Sequence, residues 1–384
     1  LPEGAGARCD VCTEMISELV ELVRRIRSTL NQDISLISDE MLVRYPRELA
    51  HALQSKVREY DDVDRELKRL IDDVAQDMSP TKHFDRVVEV RRPMCTNDYG
   101  PHIPVVAFRP VDAPAFDGYP TRFQANQGII HDCGVIATIG AVAEHRPEAI
   151  KNAIVSRGDG IYEVTLHSIE RATKENPVAY PIGGTTIFRI SDEVPYAGSG
   201  RRREPIGARG PTCAWPSLLE KALAAEDQAW TDEQLRDWGK KWASSKKEWV
   251  DSVRHDGDLS SSPSSPPLGY NRLDCGIPAW DHANLLAQLS GEPAEVRQMP
   301  TNGSTLLREF RDRLNNHKPI VVTADALHRL NTPPRGIYPH HAYQIVGLTR
   351  SGIQLHNPWG VVHPTPLQLE TFVRLCTQRY ATLT

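Results

Sequence analysis

Apolar residues recur at three- and four-residue steps through the first eighty positions. Met15, Ile16, Leu19, Leu22, Val23, Ile26 and Leu30 mark one such face. After a polar break at Asn31, Gln32 and Asp33, Pro46 opens a second stretch. Along it Leu53, Val57, Tyr60, Val63, Leu67, Leu70 and Val74 share a stripe, with Arg58, Glu59, Asp61, Asp62 and Lys68 opposite. A period near 3.6 predicts amphipathic helices, and Ser79-Pro80 stops the second. The pattern therefore predicts an N-terminal helical hairpin or coiled-coil module over residues 1–80. Two roles stay open for it. It is either a solvated bracket packed on the body that follows, or an attachment, oligomerisation or delivery element that meets a helical partner or a larger parent chain.

Beyond residue 82 the pattern shortens. Residues 83–120 read as brief strands and proline-rich loops. Residues 134–144 are apolar nearly all round, with Ala137, Gly140 and Ala141 among larger side chains, which predicts a buried helix that lets neighbours approach closely. Asp132 is expected to cap that helix, leaving Cys133 in its first turn. Residues 160–166 and 185–190 alternate as strands do. Residues 197–210, with Arg201, Arg202 and Arg203, read as a solvated loop. Trp215-Pro216-Ser217 opens a helix with proline in its first turn. Residues 256–268, nearly all Ser and Pro at their centre, predict a flexible insertion. Ser304 is expected to cap a helix carrying Leu306, Leu307, Phe310 and Leu314. A strand over residues 320–323 follows, and Tyr380-Ala381-Thr382-Leu383 ends the chain as another.

Composition narrows the classes. A chain of 384 residues suggests two or three domains, and 40% hydrophobic with 25% charged residues allows an ordinary globular core. The net charge of −5 comes from mixed-sign segments, so no basic stripe is available for nucleic acid. No stretch approaches the roughly 20 apolar residues of a membrane span, and the N-terminus lacks the basic-then-apolar layout of a signal peptide. Leu1 in place of Met leads us to expect a fragment or a processed product. Seven irregularly spaced cysteines do not form a disulfide framework, and Cys9-Asp10-Val11-Cys12 lacks the second pair that a zinc ribbon needs. No cofactor or metal site is expected.

The chemistry lies in four positions. Cys133 follows Gln127-Gly128-Ile129-Ile130-His131-Asp132, and the N-terminus of a helix favours a thiolate there. His341 shares a strand face with Tyr343, Ile345 and Gly347. Asn357 shares one with Ile353 and Leu355, and Thr349-Arg350-Ser351-Gly352 between them is a turn signal. An antiparallel hairpin would bring His341 and Asn357 together at its open end, while His340 would point away to solvent; His356, beside Asn357, is disfavoured in the same way. A cysteine that attacks amides needs a base, a group that orients the base, and oxyanion donors. His341, Asn357 and Gln127 with the Cys133 N–H fill those roles in that order.

Gln127-Gly128 through Cys133, Trp215-Pro216-Ser217-Leu218-Leu219-Glu220-Lys221-Ala222, His341-Ala342-Tyr343 and Asn357-Pro358-Trp359-Gly360 resemble the signature segments of the calpain protease core. Gly160-Ile161-Tyr162-Glu163-Val164 and Phe188-Arg189-Ile190-Ser191-Asp192-Glu193-Val194-Pro195 resemble its strands, so the likeness covers residues 105–384. His341 follows Cys133 by 341 − 133 = 208 positions, which fits calpains better than papain and cathepsins, where the interval is roughly 130–150. The resemblance implies an α+β, papain-like, two-lobed fold, with a helical lobe bearing Cys133 and a β lobe bearing His341 and Asn357. It implies endopeptidase activity on protein substrates, with Trp359 shielding the His–Asn hydrogen bond. Two features depart from it. Gly134 stands where tryptophan usually follows the nucleophile, and no D-x-D-x-D-G calcium loop occurs, so calcium dependence is not predicted.

The expected organisation is a helical module at 1–80, a Cys-bearing protease subdomain at 81–295 and a His/Asn-bearing subdomain at 296–384. The helical leader looks most like bacterial calpain-like effector or toxin proteases, secreted or translocated into a target cell. Two alternatives use the same residues: a Cys-His-Asn glutamine deamidase or transglutaminase, and a non-catalytic binding module of protease fold.

Overall fold

Runs of Val, Ile and Thr punctuated by glycine and proline become strands in the computed structural model of the chain. It describes residues 85–95, 105–197, 204–253, 265–276, 279–324, 334–350, 352–376 and 379–384. The predicted N-terminal helices, the arginines at 201–203 and most of the Ser/Pro insertion lie outside the described residues. Residues 83–384 form one compact unit.

The fold is α+β. The strands are β1 (Arg86–Glu89), β2 (Val105–Pro110), β3 (Ile154–Gly158), β4 (Ile161–Glu170), β5 (Val178–Ser191), β6 (Glu193–Ala197), β7 (Glu204–Pro205), β8 (Ala294–Gln298), β9 (Ile320–Ala324), β10 (His341–Thr349), β11 (Gly352–His356) and β12 (Arg379–Leu383). The main sheet runs β11-β10-β9-β12-β8-β5-β4-β3, with β1 parallel to β5 and the other pairs antiparallel. A small sheet, β2-β6-β7, stands beside it. The helices are α1 (Cys133–His145), α2 (Pro147–Ala153), α3 (Trp215–Ala224), α4 (Asp232–Val253), α5 (Tyr270–Asp274), α6 (Ala279–Ser290), α7 (Gly303–Asn315) and α8 (Leu369–Leu375).

Two hydrophobic cores result. One gathers Ile136, Ile139, Val164, Phe188, Trp215, Leu219 and Leu286 from α1, α3, α6, β4 and β5. The other gathers Phe310, Ile320, Val322, Tyr343, Leu355, Phe372 and Tyr380 from α7, α8 and strands β9 to β12. The main sheet crosses between them at β12, which gives Ala381 and Leu383 to the first core and Tyr380 to the second. A thin layer of small residues also joins them: Ala137 and Ala141 of α1 lie against Val321 of β9 and Ala342 of β10, with Cys133 packed at its edge. Small side chains on both surfaces let the helix backbone approach the strands closely, and that closeness sets the site.

Two expectations about caps need correction. Asp132 occupies the N-cap position of α1, but its side chain makes no capping hydrogen bond. The α7 cap is Asn302, whose side chain accepts from the N–H groups of Ser304 and Thr305; Ser304 lies inside the helix. Asparagine competes well as an N-cap because its short amide reaches the second and third N–H groups.

Candidate active site

The helix that begins at Cys133 leaves its first N–H groups without intrahelical partners, since its first bond runs from Ile136 N–H to the Asp132 carbonyl. The Cys133 thiol is half-buried and lies against the start of β10: its Sγ is 3.9 Å from the His340 carbonyl oxygen. His340 adopts a left-handed backbone (φ 54°), uncommon for a side chain other than glycine. Its N–H donates to the Ala324 carbonyl at 2.8 Å, and its side chain is exposed. His340 therefore borders Cys133 by its backbone carbonyl and not by its imidazole.

His341 is buried, and its Nε2 lies 2.9 Å from Asn357 Oδ1. The Trp359 N–H donates to the same oxygen at 3.0 Å, and the Asn357 side-chain amide donates to the Val362 carbonyl. These partners fix which way the Asn357 amide points. An acceptor at Nε2 makes that nitrogen the donor and leaves Nδ1 of the neutral ring with its lone pair. Three aromatic rings enclose the imidazole: Trp359 at 4.7 Å between centroids, Tyr343 at 4.9 Å and Tyr338 at 6.0 Å. Tyr343 is itself pinned, accepting from the Tyr338 N–H at 2.9 Å and donating to the Gly336 carbonyl at 3.1 Å. Tyr338 sits in a loop, where no periodicity in the sequence singles it out.

The hairpin forms with an offset. Gln344 pairs with His356, and an irregularity lies between Ile345 and Gly347, so continuation of the register puts Asn357 opposite Tyr343 and not opposite His341. The two side chains still meet because they project from the same face. His356 is buried and stacks on His363 at 4.3 Å. His363 in turn accepts the Asn357 N–H through Nδ1 at 3.2 Å, a support for Asn357 not apparent in the sequence.

Gln127 is buried in the segment leading to Cys133. Its backbone N–H donates to the Pro358 carbonyl at 2.8 Å, tying it to the Asn357 loop. Its side-chain nitrogen donates one hydrogen to the Ile130 carbonyl at 2.6 Å, and its amide oxygen has no partner. The nitrogen carries a second N–H.

Electrostatics differ from the low-pKa thiolate expected at a helix N-terminus. Burial pushes the Cys133 thiol up, outweighing the backbone N–H groups of Ala342, Gly134 and Cys133 that favour the thiolate. Burial pulls His341 down to about 4, against the Asn357 hydrogen bond that raises it. Desolvation penalises each charge, so burial favours the thiol form of Cys133 and the neutral imidazole of His341.

No protein-family model matches the chain, and no curated protein matches it.

Proposed function

We propose that this protein is a papain-like cysteine endopeptidase of the calpain type. The observation that carries the proposal is the buried hydrogen bond between Asn357, just after β11, and His341, the first residue of β10, whose neighbour Ala342 packs against the Cys133 helix. Support also comes from the resemblance of the four motif segments and from the two cores joined across a small-residue layer.

In the proposed reaction the Cys133 proton passes to His341 Nδ1 as Sγ forms a bond to the peptide carbonyl carbon. The carbonyl π pair moves onto oxygen, where the Cys133 N–H and the second Gln127 side-chain N–H stabilise the oxyanion. Collapse breaks the C–N bond, and His341 gives its proton to the departing amine. Water, deprotonated by His341, then releases the acyl group from sulfur. Asn357 holds the ring tautomer through both steps, and Trp359 covers that hydrogen bond from one side. Because the resting pair is neutral, charge separation accompanies the attack and does not precede it.

The test is cleavage of an unfolded protein such as casein by the wild-type chain, Cys133→Ala and His341→Ala. The proposal expects cleavage from the first alone; equal cleavage by all three would remove it. A glutamine deamidase would use the same three side chains, and in that case the assay would show side-chain conversion with an unbroken chain.

A further inference from the structure

Asp132 directly precedes Cys133, yet its carboxyl turns away from the helix and into the protein. It is fully buried (0% exposed), as is Glu220 of α3 (1%). The two carboxyls are neighbours, each acting on the other's charge. No lysine or arginine pairs with either among the described residues. Glu220 Oε2 accepts the Ala208 N–H at 2.8 Å, and a Cβ on residue 207 would lie 2.0 Å from that oxygen, so only glycine admits the carboxyl here. Both Asp132 oxygens, Glu220 Oε1 and the buried Tyr270 hydroxyl have no hydrogen-bond donor or acceptor assigned to them.

Two neighbouring carboxyls buried without a cation cannot both ionise; one must keep a proton, and that proton is the donor their unpartnered oxygens need. We infer that Asp132 and Glu220 are a positioning pair, whose shared proton anchors the backbone of Cys133 to α3 and is required for the nucleophile to sit correctly. The connection extends further. Ser217 of α3 donates to the Ala208 carbonyl at 2.6 Å, and the Ile206 carbonyl accepts from the N–H groups of Ile129 at 2.7 Å and Ile130 at 3.1 Å. The same anchor therefore also supports the loop that carries Gln127. This inference rests on the endopeptidase reading for its effect on turnover, but the shared proton itself does not.

The groups facing the pair all disfavour a second negative charge. They are Cys133 beside Asp132, Asp274 and Tyr270 of α5, and Cys95 from the segment after β1. Burial raises Asp132 well above the carboxylate range and raises Glu220 as well. A carboxyl held protonated contributes at low pH, and that contribution is lost as pH rises through its raised pKa. The site should therefore have an alkaline limit set by the pair.

Glu220→Gln tests this in the full chain. Its amide oxygen can accept from Ala208 and its amide nitrogen can donate to an ionised Asp132, reproducing the singly protonated pair without a proton to lose. Difference infrared spectra at pH 7 should show a protonated-carboxyl carbonyl band in wild type that is absent in Glu220→Gln. The alkaline fall in kcat should shift or vanish in Glu220→Gln with KM little changed, whereas folded Glu220→Ala should lose at least about tenfold in kcat. Should Glu220→Ala fail to fold, Glu220→Gln still decides the matter. A wild type lacking the band, or a Glu220→Gln with the wild-type alkaline limit, overturns the inference. If the chain cleaves nothing, the band and the pH profile of Cys133 alkylation by iodoacetamide test the pair separately from the proteolysis.

Discussion

His341 Nε2 and Asn357 Oδ1 lie 2.9 Å apart, and the Trp359 N–H adds a second donor to that oxygen at 3.0 Å. One amide oxygen thus fixes the imidazole and is fixed by the backbone that follows it. Asn357→Ala should leave nucleophile and base in place but free the ring to rotate. Loss of one buried hydrogen bond of this kind, about 1–3 kcal/mol, predicts a fall in kcat of about 5–150-fold with a measurable remainder. Steady-state kinetics on a peptide substrate would check this, and an unchanged kcat would mean that Asn357 does not orient the base.

A second prediction follows from the neutral resting pair. Alkylation of Cys133 by iodoacetamide should be slow at mildly acidic pH and accelerate as pH rises, because only the thiolate reacts. It should still outpace Cys95 and Cys213, which burial pushes up to about 12 and about 11. Peptide mapping across a pH series gives the order. A plateau of fast reaction near pH 5 would show instead that a thiolate–imidazolium pair forms at rest.

The third prediction concerns acid stability. His341, His282 and His356 are all buried, and burial brings them to about 4, about 4 and about 3. Unfolded, each would titrate near 6.5. The unfolded chain then binds more protons, so stability present above about pH 6.5 is lost as pH falls toward 4, by about 1.4 kcal/mol per unit for each group. Urea unfolding at pH 7.5 and pH 5 should show a clear drop. His282→Gln should flatten it by roughly one group's share, and a slope identical to wild type would contradict the assignment for His282.

Calcium removal supplies a fourth. Without a D-x-D-x-D-G loop in the sequence, cleavage should persist in excess EGTA. Activity that vanished with chelator and returned with added calcium would reveal ligands elsewhere in the chain.

Local pattern made much of the site readable in advance. The apolar run after Cys133 announced a buried helix, and period-two alternation set His341 and Tyr343 on one face, where their rings now lie 4.9 Å apart. Other features depended on tertiary context. The irregularity between Ile345 and Gly347 shifts Asn357 from opposite Gln344 to opposite Tyr343, onto the face that carries His341, and nothing in that segment's hydrophobic pattern encodes it. Asp132 has the composition of a cap, but a buried partner on α3, far along the chain, draws its carboxyl inward. Helix α4 went unread because Leu235, Trp238 and Trp242 are diluted by charges. α6, with its short and nearly continuous apolar run, has no clear period. His363 and Tyr338 act from loops, where position comes from the packing of neighbours and leaves no period to detect.

The most direct measurement of the central claim is mass spectrometry of a defined protein substrate incubated with the wild-type chain and with Cys133→Ala. The account predicts new internal peptide termini with wild type and none with Cys133→Ala. Glutamine side chains converted in an intact substrate, or termini that appear equally with Cys133→Ala, would contradict it.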